Sequence, residues 1–292
     1  MKRLILAAVT FSFSIQSQAV FKNYGEILSK IENLESKSSN LKSFILGTSN
    51  ANKKIVGVTV GNGPVNHLLV SAHHGNEYGS TEVAMAFLDE LSKQPIEGVT
   101  LHIIPVLNIE GYNDRERLER AKGKNFDPNR DYPGPCGSEG PFNLKSTRAL
   151  ADFIASANIV ASATLHTFYP AVVYPWGFST NDISTPYDDL FKFLGSLATE
   201  WSKYPVGNSK EVIYPADGTF EDYAFWKHGI WSLLFELGNS HSPDEGDVDT
   251  MIRENMPGLA KFFAGAPKER AADHEFKGKC DMSLRSLDRH DE

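Results

Sequence analysis

Apolar and polar positions along this chain follow two periods, which switch every ten to twenty residues. Phe21, Ile27, Leu28, Ile31 and Leu34 recur at helical steps with Tyr24 beside the stripe, which predicts a helix over 21–34. Residues 54–60 (KIVGVTV) and 67–72 (HLLVSA) are rich in β-branched and aliphatic side chains and read as strands. Val83, Phe87, Leu88 and Leu91 return to helical spacing within 79–93. The pattern then predicts a strand at 99–108, a helix at 144–157, a strand at 159–167 and a helix near 186–203. A short helix at 219–229, a strand at 230–238 and a helix over roughly 247–264 complete it. From Gly265 onward charge density rises and the apolar pattern fades, so an irregular or loose tail is expected.

Strands thus alternate with helices, and several strands are almost continuously apolar, as when both faces of a sheet are covered. This implies an α/β fold: a three-layer α/β/α domain around a mostly parallel, mixed central sheet. In such sheets ligands bind beyond the carboxyl ends of the strands, so chemical residues are expected just past them. No internal repeat or long linker divides the 292 residues. One catalytic domain over 20–266, preceded by a leader at 1–19 and followed by a charged tail at 267–292, is therefore expected.

The first nineteen residues have their own logic. Lys2 and Arg3 give a positive start, Leu4 to Ile15 is mostly apolar, and Ser17-Gln18-Ala19 supplies small residues at the spacing a signal peptidase reads. The apolar run is too short for a permanent membrane span, and no later stretch is long enough to be one. The expected location is therefore periplasmic or extracellular. Removing Lys2 and Arg3 with the leader takes the formal net charge from −8 to −10. So acidic a chain is a poor nucleic-acid binder, because phosphate contacts need Lys and Arg. Export also permits disulfides. Cys136 and Cys280 are the only cysteines, so they form one bridge or remain two free thiols.

Polar residues do gather at predicted strand ends: His74 and Glu77 after the 67–72 strand, Asn108, His166, and Glu236 in an otherwise apolar strand. His74-x-x-Glu77 with a distant His166 is a zinc set in which three protein ligands leave a fourth position open, as in catalytic rather than structural sites. His73 alternates to the opposite side and reads as structural or as support for the ligands. A lone acid such as Glu236 among Leu and Phe is costly to bury without a partner or a task. The segment 107–133 is rich in arginines, and Asn129-Arg130 within it suits an anionic ligand, since a guanidinium binds carboxylate bidentately.

Together these residues resemble the zinc metallocarboxypeptidases of the carboxypeptidase A type. The likeness runs from about residue 40 to 264, through His74-x-x-Glu77, "NIEGY" (108–112), "DPNRDYP" (127–133), His166-Thr167, and Tyr214 followed by "FELG". It implies zinc held by His74, Glu77 and His166, with Glu236 as general base and then general acid. It further implies a peptide substrate whose terminal carboxylate meets Asn129, Arg130 and Tyr214. Arg120 best matches the arginine that polarises the scissile carbonyl, with Arg117 the alternative. Glu221, just before Asp222, matches the floor of the specificity pocket, where an acid favours a basic residue: Lys, Arg, or the diaminopimelate of a murein peptide. Ile109, Glu110 and Asp131 depart from the family's usual residues.

Two other readings use the same residues. "HGNE" also looks like the metal-dependent deacylases related to aspartoacylase and succinylglutamate desuccinylase. A non-catalytic binding protein on this scaffold is a second possibility, but it should have lost a ligand or the base, and none is lost. A serine hydrolase is disfavoured, because no Gly-x-Ser-x-Gly elbow is present.

Overall fold

The structure, a computed structural model, describes residues 20–137 and 141–280. The expected leader and the tail beyond 280 lie outside the described residues. Ten strands form: β1 (Leu41–Thr48), β2 (Lys54–Val60), β3 (Val65–Ser71), β4 (Val99–Ile104), β5 (Glu119–Ala121), β6 (Lys124–Phe126), β7 (Ile159–His166), β8 (Ala171–Tyr174), β9 (Val206–Asn208) and β10 (Trp231–Glu236). Eight of them build one sheet in the order β1-β2-β4-β3-β7-β10-β8-β9, while β5 and β6 make a separate hairpin. The centre is parallel: β3 with β4, β3 with β7, and β7 with β10. The edge β8–β9 pair is parallel too, and the β1–β2, β2–β4 and β10–β8 contacts are antiparallel. The expected mixed, mostly parallel α/β sheet is thus present.

All eight residues of β7 are buried, which requires cover on both faces of the sheet. Eight helices surround it: α1 (Tyr24–Lys37), α2 (Tyr78–Lys93), α3 (Ile109–Asp114), α4 (Lys145–Ser156), α5 (Asp188–Ala198), α6 (Ser209–Val212), α7 (Phe220–His228) and α8 (Glu245–Gly265). The caps follow ordinary side-chain chemistry. Asn23 starts α1 by accepting the Glu26 N–H, Thr219 starts α7 by accepting the Asp222 N–H, and Asp244 and Asp247 form a reciprocal capping box on α8.

The structure redraws several expected boundaries and adds elements. The 99–108 strand stops at Ile104, because the chain turns there and Leu107 and Asn108 donate instead to the carbonyls of Ser71 and Ala72. The helix near 186–203 shortens to α5. Strand β1 lacks a clean alternation over its eight residues, and β8, β9 and the β5–β6 hairpin run over too few residues to be read from pattern.

The tail lacks helix and strand through residue 280, as expected, yet it is fixed rather than loose. Arg270 donates to the carbonyls of Ile159 and Ile154, Trp231 Nε1 donates to the Glu269 carbonyl, and Phe276 packs on Trp176 and Phe178. Cys136 and Cys280 are bonded, with Cα atoms 5.5 Å apart, so the bridge joins positions separated by 144 along the chain.

Candidate active site

Because β3, β7 and β10 run parallel, their carboxyl ends open on the same rim. His166 is the last residue of β7 and Glu236 the last of β10, and the two are register partners. Strand β3 ends at Ser71; Ala72, at a φ of +51°, turns the chain so that His73 and His74 lead into α2. Gly75 is obligatory in that turn, since a Cβ there would sit 1.9 Å from the Gly111 carbonyl carbon of α3. Glu77 caps α2 at its amino end.

These turns bring three donors together. His74 Nδ1 lies 2.8 Å from Glu77 Oε1, His166 Nδ1 lies 2.9 Å from Glu77 Oε2, and the two ring nitrogens are 3.2 Å apart. All three residues are buried, and their donor atoms lie within 4.8 Å of one another. Two imidazole nitrogens and both oxygens of a carboxylate converge on one buried point. A divalent cation satisfies all three, and the nitrogen–oxygen donor set suits zinc. His74 Nε2 meets Asp127 Oδ1 at 2.9 Å, the carboxylate–histidine pairing that fixes ring orientation at metal centres. The Thr167 N–H donates to Glu77 Oε2 at 3.1 Å, fixing the carboxylate from its other side.

The electrostatics follow from burial and partners. Burial pulls His74 down, but Glu77 and then Asp127 outweigh it and raise its pKa. Burial pushes Glu77 up, yet His74 and His166 pull its carboxyl well below the usual range. Glu236 goes the other way: burial, then the neighbouring Glu77 charge, hold it well above the ordinary carboxylate value. Its Oε2 is buried without a hydrogen-bond partner. A carboxyl held upward beside a candidate metal centre is suited to take and return a proton.

A cleft opens from this centre. His74, His166 and Glu236 line one part of it, Asn129, Arg130 and Tyr214 another, and Glu221, Asp222, Ser209 and Gly177 a third. Asn129 Oδ1 accepts the Phe220 N–H at 2.9 Å and so ties "DPNR" to α7. Gly218, at a φ of +74°, lets the loop before α7 pass close to Arg130, where a Cβ would meet the Arg130 carbonyl oxygen at 2.5 Å. The Arg130 guanidinium lies 6.0 Å from the Tyr214 ring centroid, with 3.5 Å between Nη2 and the Tyr214 hydroxyl, and Tyr214 is 56% exposed. Glu221 accepts the Thr164 hydroxyl, while both Asp222 oxygens take the Gly177 N–H at 2.9 Å. Both adjacent acids line the cleft, each anchored by one of these contacts.

The structure places the two candidate arginines differently. Arg120 occupies the exposed middle position of β5, opposite Asn125 in the hairpin, and does not line the cleft. Arg117 does approach the centre: its Nε and Nη2 grip Asp127 Oδ2 at 3.1 and 2.8 Å, and its Nη1 lies 3.5 Å from Glu77 Oε1. Spacing along the sequence favours Arg120, which the β5–β6 hairpin holds on an exposed position, opposite Asn125. Asp127 also went unassigned. Its only signal was its place two residues before Asn129, where its side chain starts the 128–130 turn by accepting the Asn129 N–H. His73 supports the centre: fully buried, it stacks on His166 at 5.5 Å and meets the Tyr132 hydroxyl at 3.1 Å.

A mixed sheet whose parallel strand ends carry a His–Glu–His donor set, an orphaned carboxyl and an arginine–tyrosine gate defines a metal-centred hydrolase class. A family model described as zinc carboxypeptidase matches residues 27–258, and the chain belongs to that family. It is similar to carboxypeptidase SOL1 of Arabidopsis thaliana, 27% identical over 197 residues, covering 62% of this chain and 39% of that protein. The match thus spans about two fifths of that relative's length. Among solved structures, bovine thrombin-activatable fibrinolysis inhibitor, in complex with tick carboxypeptidase inhibitor, superposes with a TM-score of 0.76 at 20% identity, covering 86% of this chain and 97% of that one. Murein-tripeptide amidase MpaA from Escherichia coli O157 does so with a TM-score of 0.54 at 15% identity, covering 78% and 93%. At these identities the structural likenesses concern the fold.

Proposed function

We propose that this protein is an exported zinc carboxypeptidase that hydrolyses the terminal amide bond of a peptide ending in a basic or diaminopimelate residue, as in murein peptides. The observation that carries the reading is the convergent His74–Glu77–His166 donor set beside a cleft lined by Glu236, with its unpaired Oε2, and by the Arg130–Tyr214 pair. The leader pattern supports export, and among the described residues no helix is long and apolar enough to cross a membrane.

Zinc held by His74, Glu77 and His166 would supply Lewis acidity toward the scissile carbonyl and acidify water in the cleft. Arg130, with Asn129 and Tyr214, takes the substrate's terminal carboxylate, which sets which bond reaches the centre. Glu236 accepts a proton as water adds to the carbonyl carbon. It returns that proton to the amine as the C–N bond breaks. Arg117 faces the oxygen on which negative charge develops. Glu221 offers the cleft a carboxylate for a side-chain amine.

The test is a panel of peptides ending in Lys, Phe or diaminopimelate, run beside acyl-amino acids and with metal analysis of the purified protein. The expected result is a preference for Lys or diaminopimelate and about one zinc per chain. A clear preference for Phe would remove the Glu221 argument. Turnover of acyl-amino acids alone would make the protein a deacylase.

A further inference from the structure

Glu82 lies on α2, one turn beyond the metal-facing Glu77 but outside the cleft. Its side chain is buried, at 3% exposure, and its Oε1 accepts the Phe21 N–H at 2.8 Å. Burial pushes its carboxyl up to about 7, against the pull of the Phe21 N–H and Arg115, with Glu26 adding to the rise. Arg115 is the nearby cation, and it is committed elsewhere. Its Nη2 donates to the carbonyls of Phe21 and Lys22 at 2.7 and 3.3 Å, and its guanidinium lies over the Tyr78 and Tyr112 rings at 4.4 and 4.6 Å. Among the described residues, Glu82 is thus a buried acid whose direct partner is a backbone N–H.

The chain that provides that N–H is held from its first described residues. Val20 and Phe21 pack against the core, and the Tyr24 N–H donates to Asn113 Oδ1 at 2.9 Å. The leader pattern ends at Ala19, so the residue it would free is Val20, the immediate neighbour of Phe21. Consecutive Cα atoms are about 3.8 Å apart, which places an amine on Val20 within reach of the same carboxylate.

We propose that Glu82 is the receptor for the α-ammonium group of a chain cut between Ala19 and Val20. Hydrolysis of that bond by a leader peptidase consumes one water, leaves a carboxylate on Ala19 and frees an amine on Val20, which takes a proton. Before the cut, Glu82 meets only a neutral amide. After it, a positive charge arrives one residue from a buried carboxyl, and the ionised form of Glu82 gains its partner. Removal of the leader then completes the packing of α2 against the start of the chain. This inference rests on the export reading, and its test is built to stand apart from it.

Four proteins are compared by urea unfolding: chains beginning at Val20, freed from a cleavable fusion, and chains retaining Gln18-Ala19 before it, each with Glu82 or with Glu82→Gln. The Val20 chain is expected to be favoured over the extended one by ~10-fold or more in the unfolding equilibrium, with the gap collapsing in Glu82→Gln. Its amine should also acylate more slowly at pH 7 than the extended chain's, and Glu82→Gln should restore the rate. Equal stabilities, or a gap that survives Glu82→Gln, would overturn the docking. Amino-terminal sequencing of the exported protein tests the cut separately: a start at Val20 supports it, and any other start removes it while leaving export itself to be read from localisation.

Discussion

His67 and His74 stand seven residues apart at opposite ends of β3, both buried, and the fold treats them in opposite ways. His67 accepts the Ala161 N–H at 3.2 Å and stacks on Phe263 at 5.7 Å. No carboxylate contributes to its electrostatics, so burial lowers its pKa to about 4 and it stays neutral. His74 sits between Glu77 and Asp127, which overcome the same burial and raise it. One end of the strand is a packed, locally satisfied core. The other gathers charge that the fold alone does not balance, and it leaves Glu236 Oε2 and His166 Nε2 without partners. A buried histidine is therefore evidence of chemistry only when its neighbours are read with it.

The sharpest way to break this comparison is at Glu236. Glu236→Gln should keep the metal and the fold while lowering kcat by ~10⁴-fold, near the top of the range for a general acid–base. A variant with near-normal turnover would remove the cleft's orphaned carboxyl from the chemistry. Next come the two arginines. Arg117→Lys should cost ~10²- to 10³-fold in kcat, the scale of a lost oxyanion donor, whereas Arg120→Lys on the exposed hairpin should leave kcat unchanged. The reverse outcome would restore the arginine favoured by spacing.

At the other end of the strand, His67 should make stability depend on pH. Its folded pKa lies below the unfolded value near 6.5, so the unfolded chain binds more protons between the two. Its contribution is complete above pH 6.5 and is lost as pH falls towards 4, up to ~3 kcal/mol. His67→Gln should remove that share of the slope in urea titrations run across this range. The smallest effect is expected at Asp127. Asp127→Asn leaves all three donors in place but loosens the His74 ring, and metal affinity measured against a chelator should fall by ~10- to 100-fold.

How much was legible beforehand differs between these regions for a physical reason. Helices α2 and α8 and strands β3, β7 and β10 announce themselves because their apolar periodicity is long and uninterrupted. Strands β8 and β9, of four and three residues, are made by pairing with β10 and with each other rather than by a pattern of their own. In the site, His74, Glu77, His166 and Glu236 were recognisable as residues that apolar strand ends do not otherwise hold. Asp127 carried no such mark, and Arg117 stood only as the alternative to Arg120, because acids and arginines are ordinary in a charged loop and it is their mutual contact that sets them apart.

The sequence by itself determined the alternation of strands and helices, the residue types at the strand ends and the resemblance to a zinc carboxypeptidase. Each of these rests on relations within a few residues or on the order of short motifs. Only the tertiary structure decided that Arg117 rather than Arg120 reaches the centre, that Asp127 orients His74, and that Cys136 meets Cys280. Those outcomes depend on register across strands and on chain reversals, and distances through space are not encoded by separation along the chain.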